Sequence, residues 1–250
     1  MIISLLLFAA AQQVRPEDTE QWKPEPPIVT PGPTAPAGPP SDALILLGPA
    51  TGLDQWAAMD GKPAGWTFAN GEVTVKKGTG NIQTRRRFGS YQLHIEWRIP
   101  PGITGEGQAR GNSGLFLAST GGGDDGYELQ ILDSYRNRTY VNGQAGSVYK
   151  QHPPLANAMR PPGEWQAYDL VWTVPAFNPD GSLKTPARLT AFHNGILVQN
   201  DVELRGETAW QGPPKYRAHG PSPIKLQDHG DPSAPISFRN IWIRELREGS

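Results

Sequence analysis

Cysteine is missing from all 250 residues of the sequence. Its absence excludes disulfide bonds, thiol nucleophiles and cysteine-ligated metal sites. It is compatible with the cytosol and equally with a periplasm, because a chain of this length can bury a core that needs no covalent cross-links.

Charge is also scarce. Only 19% of the residues are charged, and the formal net charge is −1. Such a balance gives no basic face, so we expect no nucleic-acid partner. The chain does contain eight tryptophans. Weak charge combined with many tryptophans suits a neutral ligand such as a sugar, whose ring stacks on aromatic faces while its hydroxyls need polar partners.

Common catalytic motifs are absent as well. The sequence has no Gly-x-Ser-x-Gly nucleophile elbow and no His-Glu-x-x-His zinc motif. The run Gly121-Gly122-Gly123 lacks the Lys-Ser/Thr that follows a phosphate-binding loop, so it is predicted to be a flexible loop.

The N-terminal apolar run, Ile2–Phe8, is too short to span a bilayer, which needs about 20 apolar residues. Together with Ala9-Ala10-Ala11 it predicts a signal peptide over residues 1–11, hence export to the periplasm or beyond and no transmembrane segment. No basic residue precedes the run, and the alternative is a wrongly assigned start codon.

Proline is dense between Pro24 and Pro40. Proline at this density cannot form a helix or a central strand and favours extended polyproline conformations. We therefore interpret residues 12–41 as a disordered linker and residues 42–248 as the folded domain. The alternative is an ordered arm that packs on the domain.

From Ala43 onward the hydrophobic pattern is typical of β-strands. Apolar and polar residues alternate strictly over Tyr91–Ile99 and again over Tyr168–Val174, which predicts strands with one buried face. Asn194-Gly195 lies between two apolar runs, a strong hairpin signal. Over Ile236–Leu246 the apolar positions change phase after Phe238, which predicts a bulge. Many short antiparallel strands indicate an all-β sandwich or barrel.

The segment Tyr127–Asp133 combines core residues with polar ones. In a strand, Glu128 and Gln130 share one face, and a bulge after Gln130 would bring Asp133 onto that face too. This arrangement predicts a site. The alternative is that Glu128 only solvates a strand edge.

Further polar residues are candidates for the same site. Some precede or end apolar runs, and others lie on predicted loops: Arg110, Asn112, Tyr149, His152, Lys225, Gln227, Asp228 and His229. Ordinary turn chemistry is the alternative for those beside glycine. His94 and His193 lie within predicted strands and are interpreted as structural.

An ordered series of short motifs resembles the 3-keto-disaccharide hydrolase family. The motifs that carry the resemblance are Asn112-Ser113-Gly114, Glu128–Asp133, Gly146–Tyr149, Gly163–Gln166 with Tyr168-Asp169, His193-Asn194-Gly195, Ile224–Gly230 and Phe238–Ile241. The resemblance implies a concanavalin-like, two-sheet antiparallel β-sandwich (a jelly roll) with a sugar site on its concave face. Arg85-Arg86-Arg87 and an insertion over Pro175–Pro186 depart from the family pattern.

The resemblance also implies a chemistry, cleavage of 3-keto-glycosides. A ketone at C3 acidifies the C2 proton, so a base can start an elimination that expels the group on C1, and water adds afterwards. The site candidates are the catalytic residues Glu128, Asp133 and His229 and the substrate-binding residues Arg110, Asn112, Gln130, Tyr149, Lys225, Gln227 and Asp228. We expect the base to be Glu128 or Asp133 and the acid to be His229 or His152.

The enolate oxygen needs a positive partner, for which the candidates are Arg110, Lys225 or a divalent cation. Candidate ligands of such a cation are Glu128, Asp133 and His152, and the identity of any cofactor stays open. The substrate would come from a separate sugar 3-oxidoreductase. Two other functions compete, a lectin-like module that binds carbohydrate without turnover and a structural or adhesion domain.

Overall fold

The computed structural model describes residues 14–32 and 38–246 of the chain. They form short strands joined by turns and three 3₁₀ turns (Pro16–Thr19, Gly107–Ala109 and Val141–Gly143). The fifteen strands are β1 Leu44–Leu47, β2 Trp56–Ala58, β3 Thr67–Ala69, β4 Glu72–Thr74, β5 Ile82–Thr84, β6 Tyr91–Arg98, β7 Ser113–Ser119, β8 Gly126–Ile131, β9 Trp165–Thr173, β10 Ala176–Phe177, β11 Leu183–Thr185, β12 Arg188–His193, β13 Ile196–Glu203, β14 Lys225–Leu226 and β15 Ser237–Glu245.

Two antiparallel sheets make the sandwich. The larger has the order β13-β12-β9-β6-β15-β4-β3, with β1 also paired to β15, and the smaller has the order β2-β5-β14-β7-β8. The apolar faces of the two sheets meet in one core, rich in fully buried aromatic side chains such as Trp97, Trp172 and Tyr168. The predicted all-β sandwich is thus confirmed.

The strands predicted from alternation lie at the centre of the larger sheet. Strands β6 and β9 pair in continuous register from Tyr91–Trp172 to Arg98–Trp165. Side chains in a strand point alternately to the two faces, so the odd positions of β6 enter the core, but His94 and Glu96 on the opposite face are buried as well. Tyr91, Leu93 and Ile95 are fully buried in the core.

The predicted hairpin at Asn194-Gly195 and the predicted bulge near the C-terminus are also confirmed. Asn194 and Gly195 turn β12 into β13, and both have positive φ values of 53° and 80°, as a two-residue hairpin turn requires. In β15 the register with β6 breaks between Arg239 and Trp242, where the phase change predicted a bulge. Asn240 sits in this bulge with a positive φ.

A bulge after Gln130 is not seen. Strands β7 and β8 pair without a break from Ser113–Ile131 to Phe116–Glu128, and the register shifts only on the other side of Glu128. Strand β8 ends at Ile131, so Asp133 lies beyond the strand and is not carried onto the face of Glu128.

Residues 14–32 lie against the sandwich. The Asn157 backbone joins this segment twice, because its carbonyl accepts from Val29 and its N–H donates to Pro27. Over residues 14–32 the structure shows an ordered arm that packs on the domain, which is the alternative to the disordered linker. The predicted signal peptide, residues 1–11, lies outside the described residues, so its boundary stays a prediction.

The insertion flagged in the sequence forms a small hairpin of β10 and β11. No helix in the part of the chain that the structure describes has the length and apolar character needed to cross a membrane.

Candidate functional site

A cavity of about 230 Å³ opens on the outer face of the smaller sheet, beside β8. Its lining combines polar side chains with one tryptophan: Asn112, Asp124, Glu128, Gln130, Tyr149, Thr208, Trp210, Gln227 and His229. Glu128 and Gln130 reach it together because they are two residues apart on β8, while Leu129 between them fills the core.

Glu128 is the buried carboxyl group of the cavity, with 5% of its surface exposed. Burial and the charge of Asp124 raise its pKa, the charge of Lys225 partly opposes them, and the net pKa is about 8. Among the described residues none donates a hydrogen bond to this carboxyl group. A buried carboxyl group without protein partners is costly to keep and is typical of functional sites.

Gly114 makes room for that carboxyl group. It lies on β7 directly beside β8, and a Cβ atom at this position would overlap Glu128 Oε1 and come within 3.0 Å of Phe116 Cε2. Any larger residue at 114 therefore has to displace Glu128.

Two buried amide oxygens in the cavity have no partner. Gln130 is 1% exposed and Gln227 is 5% exposed, and the Oε1 atom of each accepts no hydrogen bond from the residues that the structure describes. Such acceptors are rare in folded proteins unless a ligand or water satisfies them. Ligand hydroxyls are suitable donors for both.

His229 belongs to a chain of polar contacts on the cavity wall. Its Nδ1 lies 3.5 Å from Asp231 Oδ2, and its Nε2 lies 3.2 Å from Asn112 Nδ2. Asn112 Oδ1 in turn accepts from Gln130 Nε2 at 2.9 Å. Asp231 is buried, which would raise its pKa, but hydrogen bonds from His229 and Ser233 lower it to about 2. A permanent carboxylate thus orients the His229 ring.

Tyr149 forms another wall of the cavity. Its hydroxyl lies 2.7 Å from that of Tyr140, and burial raises its pKa to about 12. The hydroxyl therefore stays protonated in the neutral range and can act as a hydrogen-bond donor.

Three lining residues were not predicted from the sequence: Asp124, Thr208 and Trp210. Thr208 Oγ1 accepts from the Glu128 backbone N–H at 3.0 Å, so it ties its loop to β8. Trp210 is 64% exposed at the cavity rim. An exposed tryptophan beside polar groups is a stacking surface for a sugar ring. No local motif marks these residues, although the abundance of tryptophan gave a general signal.

Several candidate residues lie away from the cavity. Asp133 is fully buried and pairs with Arg110, whose Nε lies 2.8 Å from Asp133 Oδ2. Burial raises the pKa of Asp133 while the Arg110 charge opposes the shift. This pair fastens the turn after β8, so the structure does not place Asp133 or Arg110 with Glu128.

Asp228 and Lys225 are engaged with backbone groups. Asp228 Oδ2 accepts from the N–H groups of Gly78 and Gly80 at 2.8 and 3.1 Å. The Lys225 ammonium donates to the carbonyls of Gly123 and Asp125, both at 2.8 Å. Lys225 influences Glu128 through its charge, but neither residue lines the cavity.

His152 is also elsewhere, with Nε2 2.9 Å from the Glu203 carbonyl oxygen. The candidate ligands Glu128, Asp133 and His152 are therefore not brought together. Within residues 14–32 and 38–246, no group of three His, Cys, Asp or Glu side chains is arranged to hold a metal ion.

Comparisons with known proteins give the wider setting. The model of the 3-keto-alpha-glucoside-1,2-lyase-like domain matches residues 45–244. A crystal structure of a candidate glycosyl hydrolase from Parabacteroides distasonis is 48% identical, covers 96% of this chain and 100% of its own, and has a TM-score of 0.79. No curated protein matches the chain.

Two further candidate glycosyl hydrolases from the same organism share the fold. They are 20% and 22% identical, cover 78% and 82% of this chain and 90% and 99% of their own, and have TM-scores of 0.55 and 0.56. Family and relatives together support a glycoside hydrolase-like or carbohydrate-binding role. With four fifths of its length matched, the chain belongs to the family of 3-keto-alpha-glucoside-1,2-lyase-like domains.

Proposed function

We propose that the protein cleaves the glycosidic bond of 3-keto-glycosides, including 3-keto-disaccharides, by elimination followed by addition of water. The observation that carries this proposal is the Glu128 carboxyl group, buried in a cavity and free of protein hydrogen bonds. A site with one free carboxyl group and one oriented histidine meets the needs of an elimination.

The cavity is suited to a single sugar ring. Its volume of about 230 Å³ is below the roughly 300–1,000 Å³ of pockets that hold drug-sized ligands. The two unpartnered amide oxygens, Gln130 Oε1 and Gln227 Oε1, would accept hydrogen bonds from the sugar hydroxyls. Trp210 would stack on the ring or on the departing group at the rim.

Glu128 is the proposed base. A pKa of about 8 makes it a far stronger base than an exposed carboxylate, and taking up a proton removes a buried charge. It would remove the proton from C2 of the sugar. The electron pair would move into the C3 carbonyl as an enolate, and then form the C1–C2 double bond as the C1–O bond breaks.

His229 is the proposed acid, because it lines the cavity and Asp231 orients its ring. It would donate a proton to the departing oxygen. Water then adds across the C1–C2 double bond, with its hydroxyl on C1 and its proton on C2, so the net reaction is hydrolysis.

A lectin-like function is the second candidate. The exposed rim tryptophan and the unpartnered amides favour binding, and binding alone would need no Glu128. The burial of the Glu128 carboxyl group without a hydrogen-bond donor among the described residues is what a pure binding site leaves unexplained.

Export and a supply of substrate complete the proposal. The N-terminal apolar run supports export to the periplasm or beyond, and N-terminal sequencing of the protein from cell fractions tests it. A 3-keto-glycoside requires a separate oxidoreductase that oxidises the C3 hydroxyl of the glycoside.

The test is turnover of p-nitrophenyl 3-keto-α-glucoside against its unoxidised parent, with wild-type protein, Glu128→Gln and the exposed control Glu164→Gln. We expect nitrophenol release from the keto form alone. The rate should fall about 1,000-fold in Glu128→Gln and stay unchanged in the control. Binding of either sugar without release would favour the lectin-like function, and an unchanged rate in Glu128→Gln would refute the role of Glu128.

A further inference from the structure

The N-terminal arm, residues 14–32, makes specific contacts to one segment of the domain. Asn142 is fully buried, and its side chain bonds twice to the arm. Its Oδ1 accepts from the Gln21 N–H at 2.9 Å, and its Nδ2 donates to the Thr19 carbonyl at 3.0 Å. The Gln21 carbonyl accepts from Val141 N–H at 2.6 Å. The arm is therefore joined to the 140–143 turn by three hydrogen bonds.

That turn leads directly to the cavity wall. The Trp22 ring packs edge-on against Tyr140, with 6.2 Å between ring centroids. Tyr140 and Tyr149 join their hydroxyl groups at 2.7 Å, and Tyr149 lines the cavity. Two aromatic contacts thus connect the arm to a residue of the sugar site.

Lys150 makes a second connection, to the loop that carries Trp210. Its side chain is buried, and its ammonium donates to the carbonyls of Pro16 at 2.7 Å and of Trp210 at 3.0 Å. One ammonium group therefore fastens the arm and the Trp210 loop to each other. The arm also approaches this loop at Gly212, where a Cβ atom would lie 3.7 Å from Val14 Cγ1.

These contacts fix the arm relative to Tyr149 and to the loop that carries Trp210. A buried ammonium group that loses a carbonyl partner pays a desolvation penalty, so both carbonyls are retained by the same charge.

We propose that residues 14–22 are a positioning element of the sugar site, which holds Tyr149 and the Trp210 loop against the same sugar ring. The proposal rests on the proposed function only for the identity of that sugar. Because coupling is reciprocal, a sugar bound in the cavity also tightens the arm on the domain.

The test compares hydrogen exchange in the full chain for three variants. Gln21→Pro/Trp22→Ala removes one N–H donor and the aromatic contact to Tyr140. Lys150→Met removes the ammonium group and keeps most of the aliphatic stem. Ile28→Ala, at an arm position that is 81% exposed, is the control. We expect about tenfold faster exchange at residues 208–212 in the first two variants and no change in the control.

Steady-state kinetics on the chromogenic 3-keto-glucoside give the second readout. We expect KM to rise about tenfold in the first two variants while kcat changes less than about twofold, since the arm touches neither Glu128 nor His229. If the Val141 amide is released but residues 208–212 and KM are unchanged, the arm is a passive cover. Unchanged protection of Val141 in the double variant would show that the anchoring is wrong. Exchange needs no substrate, so this outcome stands even if the wild type fails to cleave the sugar.

Discussion

Two buried clusters of ionisable residues lie on opposite sides of the sandwich. On the larger sheet, His94 Nδ1 lies 2.7 Å from Asp169 Oδ1, and Glu96 accepts from Asn240 at 2.7 Å and from Arg239 at 2.6 Å. Every charge there has a partner. In the cavity on the smaller sheet, the Glu128 carboxyl group and two amide oxygens have no hydrogen-bond partner within residues 14–32 and 38–246.

The pKa values follow the same division. Burial would raise the pKa of Glu96, but hydrogen bonds from His94, Asn240 and Arg239 lower it to about 2. At Glu128 burial acts without such bonds, and the pKa rises to about 8. Burial by itself therefore does not mark a functional carboxylate. The absence of partners among the described residues around Glu128 is what makes it the candidate, because an unpartnered buried group is left for a ligand to satisfy.

Replacing Glu128 or Glu96 with glutamine should give the largest difference between the two clusters in turnover and in stability. Glu128→Gln should lower turnover about 1,000-fold and raise the free energy of unfolding at pH 7 by about 2 kcal/mol, because it removes a carboxylic acid whose ionisation the fold opposes. Glu96→Gln should lower the free energy of unfolding by about 2 kcal/mol and leave turnover unchanged. Kinetics and urea unfolding measure both, and a loss of activity without loss of stability in Glu96→Gln would break the comparison.

Adding a methyl group at Gly114 should have the next largest effect. The new Cβ overlaps Glu128 Oε1, so the carboxyl group must move, and we expect kcat to fall about 100-fold with the fold retained. Gly89→Ala is the matched control, because no atom lies within 4 Å of its Cβ position and its φ is not positive. Equal activity of the two variants would contradict the tight packing of Glu128 against β7.

The two clusters should also differ in their pH dependence: kcat/KM should rise with pH as Glu128 ionises, and the free energy of unfolding should fall as His94 loses its proton. A base must be deprotonated, and nitrophenolate departs without a proton from His229, so with the nitrophenyl substrate kcat/KM should rise as Glu128 ionises and level off above pH of about 8. A fall in kcat/KM over pH 7 to 9 would instead make Glu128 the proton donor.

For His94, burial would lower the pKa, but hydrogen bonds to Asp169 and Glu96 raise it to about 9. Because the folded-state pKa is the higher one, this stabilisation is complete below about pH 6.5 and is lost as pH rises through about 9. Unfolding free energies between pH 6 and 10 should show this decline in the wild type and not in His94→Gln.

Replacing Trp210 with alanine should give the smallest effect. It removes a stacking surface at the rim and leaves the reacting groups in place, so we expect KM to rise about tenfold at nearly constant kcat. Trp165→Ala, on the outer face of the larger sheet between Arg98 and Arg239, is the control for loss of an aromatic ring. Equal KM in the two variants would show that Trp210 does not contact the sugar.

Features that depend on neighbours in the chain were predictable. Alternation located β6 and β9, Asn194-Gly195 located a hairpin, and a phase change located the bulge in β15. Each of these signals is read within about ten residues, because backbone conformation and the facing of side chains are local properties.

Of the residues predicted for the site, some line the cavity and others do not, because side-chain contacts are not a local property of the chain. Six of the residues predicted for the site line the cavity: Asn112, Glu128, Gln130, Tyr149, Gln227 and His229. The other predicted residues contact different groups elsewhere: Arg110, Asp133, His152, Lys225 and Asp228. Asp228, for example, accepts hydrogen bonds from Gly78 and Gly80, which are distant from it in sequence. No local pattern could reveal these contacts.

The sequence by itself determined the strands, their turns and the family, and it placed Glu128 and Gln130 on one face of β8. Only the tertiary structure decided which polar groups find partners. Whether a carboxyl group is paired depends on residues that the packing of loops and strands brings within hydrogen-bond distance, and these lie anywhere in the chain. The arm at residues 14–32 shows the same limit, because its proline content predicts an extended backbone and only its contacts with Asn142 and Lys150 fix where it lies.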